Sequence, residues 1–344
     1  MHSTNNGPPA ATMRALRLHA YDGPASLELA EIAVPRPGKG EVLVRIAAAP
    51  VNPSDLLFLR GIYGVKKPLP AVPGFEGSGT VVAAGPGALG ALLVGKRVAC
   101  LPPDNGGGTW AEYAVVPAER CLALQAGVSL AEGATMVVNP MTAWALIDLA
   151  RREGRRAIVQ TAAASAVGRM IVRLARRLKL PVINVVRRQE QADLLRGLGA
   201  RHIVDSSLPA AGEHLRQLCA ELGATLAYDA VAGQSPAWLL RALPPGGKVV
   251  IYGALSPEPC EIDAPGLIFE RKSVAGFWLA DWAAGLKLVE TLRLSRRIQS
   301  LLGDELRTEI RERAGLGEAA AALRRYETDM TGGKALLLPN GPLE

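Results

Sequence analysis

With 344 residues, 49% hydrophobic content and a formal net charge of +7, the chain is long enough for two domains and rich enough in apolar residues for two cores. No apolar run reaches the ~20 residues needed to cross a bilayer, and the opening stretch to Met13 lacks a hydrophobic signal core, so a soluble, cytoplasmic protein is expected. Basic residues are dispersed among acids and aromatics are only 4%, which argues against a nucleic-acid partner. Cys100, Cys121, Cys219 and Cys260 have no paired spacing, so neither a disulfide framework nor a structural zinc lobe is expected, and each reads as a small buried residue.

Residues 1–12 read as a disordered leader. From Met13 to about Ala126, short β runs alternate with Gly and Pro at the spacing of a small barrel or sandwich. Among them, Asn52-Pro53-Ser54-Asp55 has the form of a helix cap with proline in the first turn. A helix is expected from about Asn139 to Arg152, then strands and helices in alternation, the pattern of a doubly wound parallel sheet. Past Ala283 the pattern is helical until Lys334–Pro339, a terminal strand free to return to the first domain. The division expected is 13–133 with 286–344 as a β-rich domain, and 134–285 as a nucleotide-binding domain.

The stretch Ala157–Arg188 carries the nucleotide argument. An apolar strand, a turn of small residues, an amphipathic helix and a second apolar strand make a βαβ unit, whose first turn presents backbone N–H groups and a helix N-terminus to a pyrophosphate. Laid on a glycine fingerprint, the turn reads Ala163, Ala164, Ser165, Ala166, Val167, Gly168, so only the last glycine, which permits close helix–strand packing, survives. Ala and Ser suit such a turn only where φ stays negative. Where an NAD site places an acid on the ribose, this chain has Arg187 and Arg188, which suit a 2′-phosphate through paired charge-assisted bonds. The expected cofactor is NADPH; the plainer reading is an ordinary solvated turn.

Several strings resemble the medium-chain dehydrogenase/reductase superfamily: VNPSD (51–55), RGIYG (60–64), LPAVPGFEGSGTVVAAG (69–85), GGTWAEYAVV (107–116), VNPMTAW (138–144), INVVRR (183–188) and GFWLADW (276–282). They are most similar to its zinc-free branch of quinone oxidoreductases and mitochondrial-type 2-enoyl thioester reductases. The resemblance implies an α/β protein with a GroES-like β-rich catalytic domain and a doubly wound Rossmann domain. Zinc-dependent relatives would place a Cys at Asp55 and a His at Phe75; phenylalanine cannot ligate, so no metal is expected.

Without a metal, hydride reduction requires an activated electrophile, either an enoyl thioester or ketone, or a quinone, and a donor for the charge that develops on the carbonyl side. The resemblance places that donor at Tyr63, a phenol that at a reference pKa of about 10 stays protonated at neutral pH; the alternative is a half-buried aromatic that anchors its loop. Asn52 is implied as a cleft residue, or simply a cap. Asn139 and Thr142 are implied at the cofactor, together with Ala164 to Gly168, Arg187, Arg188, Tyr252 and Gly253. Phe277, Trp278 and Leu279 are implied to meet the carboxamide, with Trp278 and Trp110 walling the acyl pocket or else packing in a core or subunit contact. Tyr228 and Asp229 read as packing toward the adenine. The function implied is reduction of activated double bonds, 2-enoyl thioesters on CoA or acyl carrier protein ahead of quinones, by a homodimer. The non-enzymatic reading is an NADPH binder like the crystallin relatives.

Overall fold

The computed structural model describes residues 11–343. The chain divides into two compact units: Met1–Val138 with Leu292–Leu302 and Arg307–Glu344, and Asn139–Thr291 with Gly303–Leu306. The boundaries at 138/139 and 291/292 lie five (138 − 133) and six (291 − 285) residues later than those expected. Residues 1–10 of the expected leader lie outside the described residues, and Thr12 already opens the first strand.

In the first unit, β1 (Thr12–Leu18) and β2 (Leu27–Ala33) form an antiparallel pair. Strand β3 (Glu41–Pro50) is the long central strand, and α1 (Pro53–Leu59) follows it. The cap on α1 is made by Asp55, whose carboxylate accepts the Asn52 N–H at 2.8 Å, while the Asn52 side chain turns elsewhere. Next come β4 (Gly77–Ala84), α2 (Ala88–Leu93), β5 (Arg97–Cys100), β6 (Tyr113–Pro117), β7 (Cys121–Ala123) and α3 (Leu130–Ala134). The core gathers Phe58, Trp110, Ile46 and Leu59, all fully buried.

The second unit begins in α4 (Val138–Arg152) and runs β8 (Ala157–Gln160), α5 (Ala166–Arg177), β9 (Val182–Val186), α6 (Gln189–Gly197), β10 (His202–Asp205), α7 (Ala211–Leu222) and β11 (Ala224–Asp229). It continues with α8 (Ser235–Ala242), β12 (Lys248–Ile251), α9 (Ala264–Phe269), β13 (Ser273–Gly276) and α10 (Leu279–Ala284). Every residue of β8 and β9 is buried, because helices cover both faces of a parallel sheet and leave no polar side to alternate. The six strands are parallel in the order β10-β9-β8-β11-β12-β13. Connections leave β8 in one direction and β11 in the other, which opens a crevice at their carboxyl ends.

Helix α11 (Leu288–Gln299), β14 (Ile310–Ala314), α12 (Ala319–Thr328) and β15 (Lys334–Leu337) close the chain. Strand β15 does return to the first unit: Leu336 and Leu337 pair with Pro50 and Ala49 of β3. The first unit's larger sheet is thereby ordered β14-β15-β3-β4-β5-β7, with β6 also on β3. Cys100, Cys121 and Cys219 are buried, but Cys260 is exposed, against expectation, in an irregular stretch.

Candidate active site

In the second unit, the turn from β8 into α5 is built from small residues under tight constraints. Ala162 takes the left-handed conformation (φ 46°), so the turn does require one positive φ and meets it with an alanine. Gly168 has no alternative: a Cβ there would stand 2.3 Å from the Ala163 carbonyl oxygen. Ser165 is the N-cap of α5, its hydroxyl accepting the Gly168 N–H at 3.2 Å. The N–H groups of Ala166 and Val167 lie in the first turn, where a helix has no internal acceptor for them, and Ala164 precedes them, buried. Gln160 holds the turn from below, donating to the Gly168 carbonyl at 3.1 Å and to Asn184 of β9 at 2.7 Å.

Across the crevice, Thr161 donates to the Asp229 carboxylate at 2.6 Å and so joins the ends of β8 and β11. Asp229 also accepts from Ser235 at 2.7 Å and from the Ala232 N–H at 2.8 Å. These bonds make it a fastener of the strand ends. Tyr228 is likewise fully buried, its hydroxyl donating to the Leu146 carbonyl. Tyr252 follows β12, and its hydroxyl is buried with no partner among the described residues; burial, with Asp229 nearby, pushes it well above the usual tyrosine range. Gly253 comes so close to Ala230 that a Cβ would meet its carbonyl oxygen at 2.9 Å.

Arg187 and Arg188 stand exposed where β9 ends, and neither makes an ion pair with any described residue. Asn139 and Thr142 are buried in the first turns of α4. Phe277 and Leu279 are half-buried, and Trp278 caps α10 with 38% of its surface exposed. A turn with free first-turn N–H groups, a crevice at the strand ends and two unpaired guanidiniums fit a dinucleotide.

The first unit holds a buried polar cluster that the sequence did not disclose. Asn52, fully buried, donates to Glu76 Oε1 at 2.8 Å through Nδ2 and accepts from the Lys334 ammonium through Oδ1. Lys334 Nζ also reaches the Val51 carbonyl at 3.0 Å and the Tyr326 hydroxyl at 3.1 Å. Glu76 Oε2 accepts the N–H groups of Val137 and Val138 at 3.2 and 2.9 Å. Burial raises both acids, Glu76 and Asp55, the latter to about 7, against the pull of the Asn52 N–H and Lys334. The side chain hydrogen-bonded to Glu76 is that of Asn52, while the Glu76 carboxylate adds to the raising of Asp55. Asn52, Glu76 and Lys334 are spent on one another, so Asn52 presents no open amide to a cleft in this arrangement.

Tyr63 lies half-buried on the loop after α1, its ring 4.9 Å from that of Phe75 at 42°. Trp110, expected at an acyl pocket, is instead wholly inside the core, its Nε1 donating to the Pro50 carbonyl at 3.3 Å. A residue flanked by Thr109 and Ala111, both also buried, has no surface to offer a ligand.

Residues 38–126 match the model of the alcohol dehydrogenase GroES-like domain, and residues 166–292 that of the zinc-binding dehydrogenases. The donor set does not fit the metal in the second description: Phe75 has no ligating atom, Glu76 and Asn52 are engaged with each other, and an ammonium sits on the Asn52 oxygen. Among the described residues no group of three or more His, Cys, Asp or Glu is placed to hold a metal ion. The bovine mitochondrial enoyl-[acyl-carrier-protein] reductase is 37% identical over 276 residues, which cover 78% of this chain and 73% of the bovine one. A Mesorhizobium loti protein assigned as an NADPH:quinone reductase superposes with a TM-score of 0.90 at 35% identity, over 97% of this chain and all (100%) of that one. A mycobacterial protein solved with NADPH superposes with a TM-score of 0.81 at 25% identity, over 95% and 100% of the two chains.

Proposed function

Because the chain belongs to the medium-chain dehydrogenase/reductase superfamily, in its zinc-free branch, we propose that it is an NADPH-dependent reductase of activated carbon–carbon double bonds, with 2-enoyl thioesters as the substrate class. The observation that carries the reading is Tyr63 lying on Phe75, a phenol in the neighbourhood where zinc-dependent relatives would have a ligand. When bound, NADPH supplies a hydride. Tyr63 holds a proton on its hydroxyl and gives it to the carbonyl side of the substrate as negative charge builds there. The role expected of Asn52 becomes one of holding Glu76 and Lys334 in place.

The turn at Ala164–Gly168 is assigned to the pyrophosphate. Arg187 and Arg188 are assigned to the 2′-phosphate, supported by their exposure and their lack of an acidic partner. Tyr252 and Gly253, with Asn139, Thr142 and Phe277 to Leu279, are assigned to the nicotinamide half. A homodimer is supported by β13 at the open edge of its sheet, beside Ile268 and Phe269 at 68% and 79% exposure.

The test is NADPH oxidation with crotonyl-CoA beside a naphthoquinone. Faster turnover of the thioester, lost in Tyr63→Phe, is expected. A quinone preference, or equal thioester rates in the two proteins, would overturn the assignment. Tight NADPH binding with no oxidation of either substrate would make the chain a binder.

A further inference from the structure

Lys67 follows Tyr63 by four residues and is 6% exposed, although its ammonium is hydrogen-bonded to no carboxylate among the described residues. Its backbone is pinned from both sides by one phenol: the Lys67 N–H donates to the Tyr21 hydroxyl at 2.7 Å, which donates to the Lys67 carbonyl at 2.8 Å. From that anchor the side chain passes the rings of Phe58 and Phe75, with Nζ 6.0 and 5.9 Å from their centroids, and ends on the Gly106 carbonyl at 2.8 Å. Gly106 belongs to a tight turn, its N–H donating to the Pro103 carbonyl at 3.1 Å, and a Cβ on it would meet Pro103 at 2.7 Å. Phe75 is the ring on which Tyr63 lies.

A buried cation is costly, and an apolar side chain of the same length would pack against Phe58 and Phe75 without that cost. What it could not do is grip a backbone carbonyl while lying against two aromatic faces. We propose that Lys67 is a positioning residue: by tying the Pro103–Gly106 turn across Phe58 and Phe75, its ammonium fixes the ring that orients Tyr63. This deepens the reading of Tyr63 as the acid and rests on it for the kinetic arm of the test alone.

The clamp is sensitive to pH. Burial lowers the Lys67 ammonium to about 8, opposed by the Asp104 and Asp55 carboxylates. The other titratable groups around it are the Tyr21 phenol, the Lys66 ammonium 6.0 Å over the Tyr21 ring, and Tyr63 beyond Phe75. Above that pH the amine keeps a donor for Gly106 but loses its attraction to the rings and the two acids, so the turn loosens.

The experiment compares wild type, Lys67→Arg and Lys67→Met between about pH 6 and 9.5, by steady-state NADPH oxidation and by hydrogen exchange of the Asp104–Thr109 amides. In wild type, kcat is expected to fall above about pH 8 while KM for NADPH stays level. Lys67→Arg, whose guanidinium stays charged, should lose that fall. Lys67→Met should be roughly tenfold slower at pH 7 and flat across the range, with Asp104–Thr109 exchanging roughly tenfold faster and β4 unchanged. A fall near pH 8 in all three proteins, or Asp104–Thr109 exchange in Lys67→Met equal to wild type, would overturn the proposal. Should Lys67→Met fail to fold, Lys67→Arg decides by itself. If Tyr63→Phe keeps the full rate, the acid assignment fails while the exchange result still stands.

Discussion

Glu76 and Asp229 are both buried carboxylates, one in each unit, yet they are satisfied by opposite means. Asp229 is held by neighbours in sequence and sheet: the hydroxyls of Thr161 and Ser235 and the N–H groups of Val231 and Ala232, all neutral dipoles. Glu76 is held through Asn52 to an ammonium 258 residues further along (334 − 76), with the N–H groups of Val137 and of Val138, the first residue of α4. The difference teaches where charge balance is kept. Around Asp229 it is kept within one sheet and uses no cation, whereas around Glu76 it is a long-range contract between the residues that lead into α1 and β4 and the final strand.

Removing the cation breaks the comparison most severely. Lys334→Met leaves two buried acids without their counter-charge, and urea unfolding should show a loss of about 5 kcal/mol, the upper range for breaking a buried pair. The next effect is one of pH. Asp55 ionises at about 7 when folded and at about 4 when unfolded, so between those values the folded state binds the extra proton and stability falls as pH rises. Wild type measured against Asp55→Asn, which does not titrate, should lose about 3 kcal/mol from pH 4 to 7, and by about pH 8 the last few tenths, with nothing further above. A difference that grew with pH would show Asp55 to be ionised in the fold.

The chemistry comes third. Tyr63→Phe should lower kcat about 100-fold, with NADPH affinity unchanged in a fluorescence titration, since its ring packing on Phe75 is kept. Fourth, the double change Arg187→Ala with Arg188→Ala should weaken NADPH about tenfold and leave NADH within about twofold, read by the same titration. The smallest effect sharpens the contrast: Ser235→Ala removes one of several neutral donors on Asp229 and should cost about 1 kcal/mol.

What was legible in the sequence was what short-range patterning encodes. The apolar runs of β8 and β9, the small-residue turn and Gly168 could be read directly because each obeys a local constraint. Strand β14, IRERA, could not: Arg311 and Arg313 face outward, but Glu312 takes the inward-facing place between Ile310 and Ala314, so no apolar alternation announces this edge strand. Trp110 was misread for the opposite reason, since an aromatic in a loop-like string gives no sign of being drawn wholly into a core. Asn52 looked like a cap because of its neighbours, whereas its side chain answers to Lys334, a partner that no window of sequence contains. Lys67 was equally silent, because nothing in the string KKPLP separates it from Lys66 or shows that Gly106 receives its ammonium.

The reach of Lys334 across the chain also orders events in time. Asn139–Thr291 is contiguous and emerges from the ribosome with all of its strands, so it has everything needed to close while synthesis continues. The first unit must wait, with Glu76 and Asn52 made early and their ammonium delivered almost last. A nascent chain stalled before Ile310 should therefore yield a protease-resistant fragment from the later-made half and digest readily in the half made first.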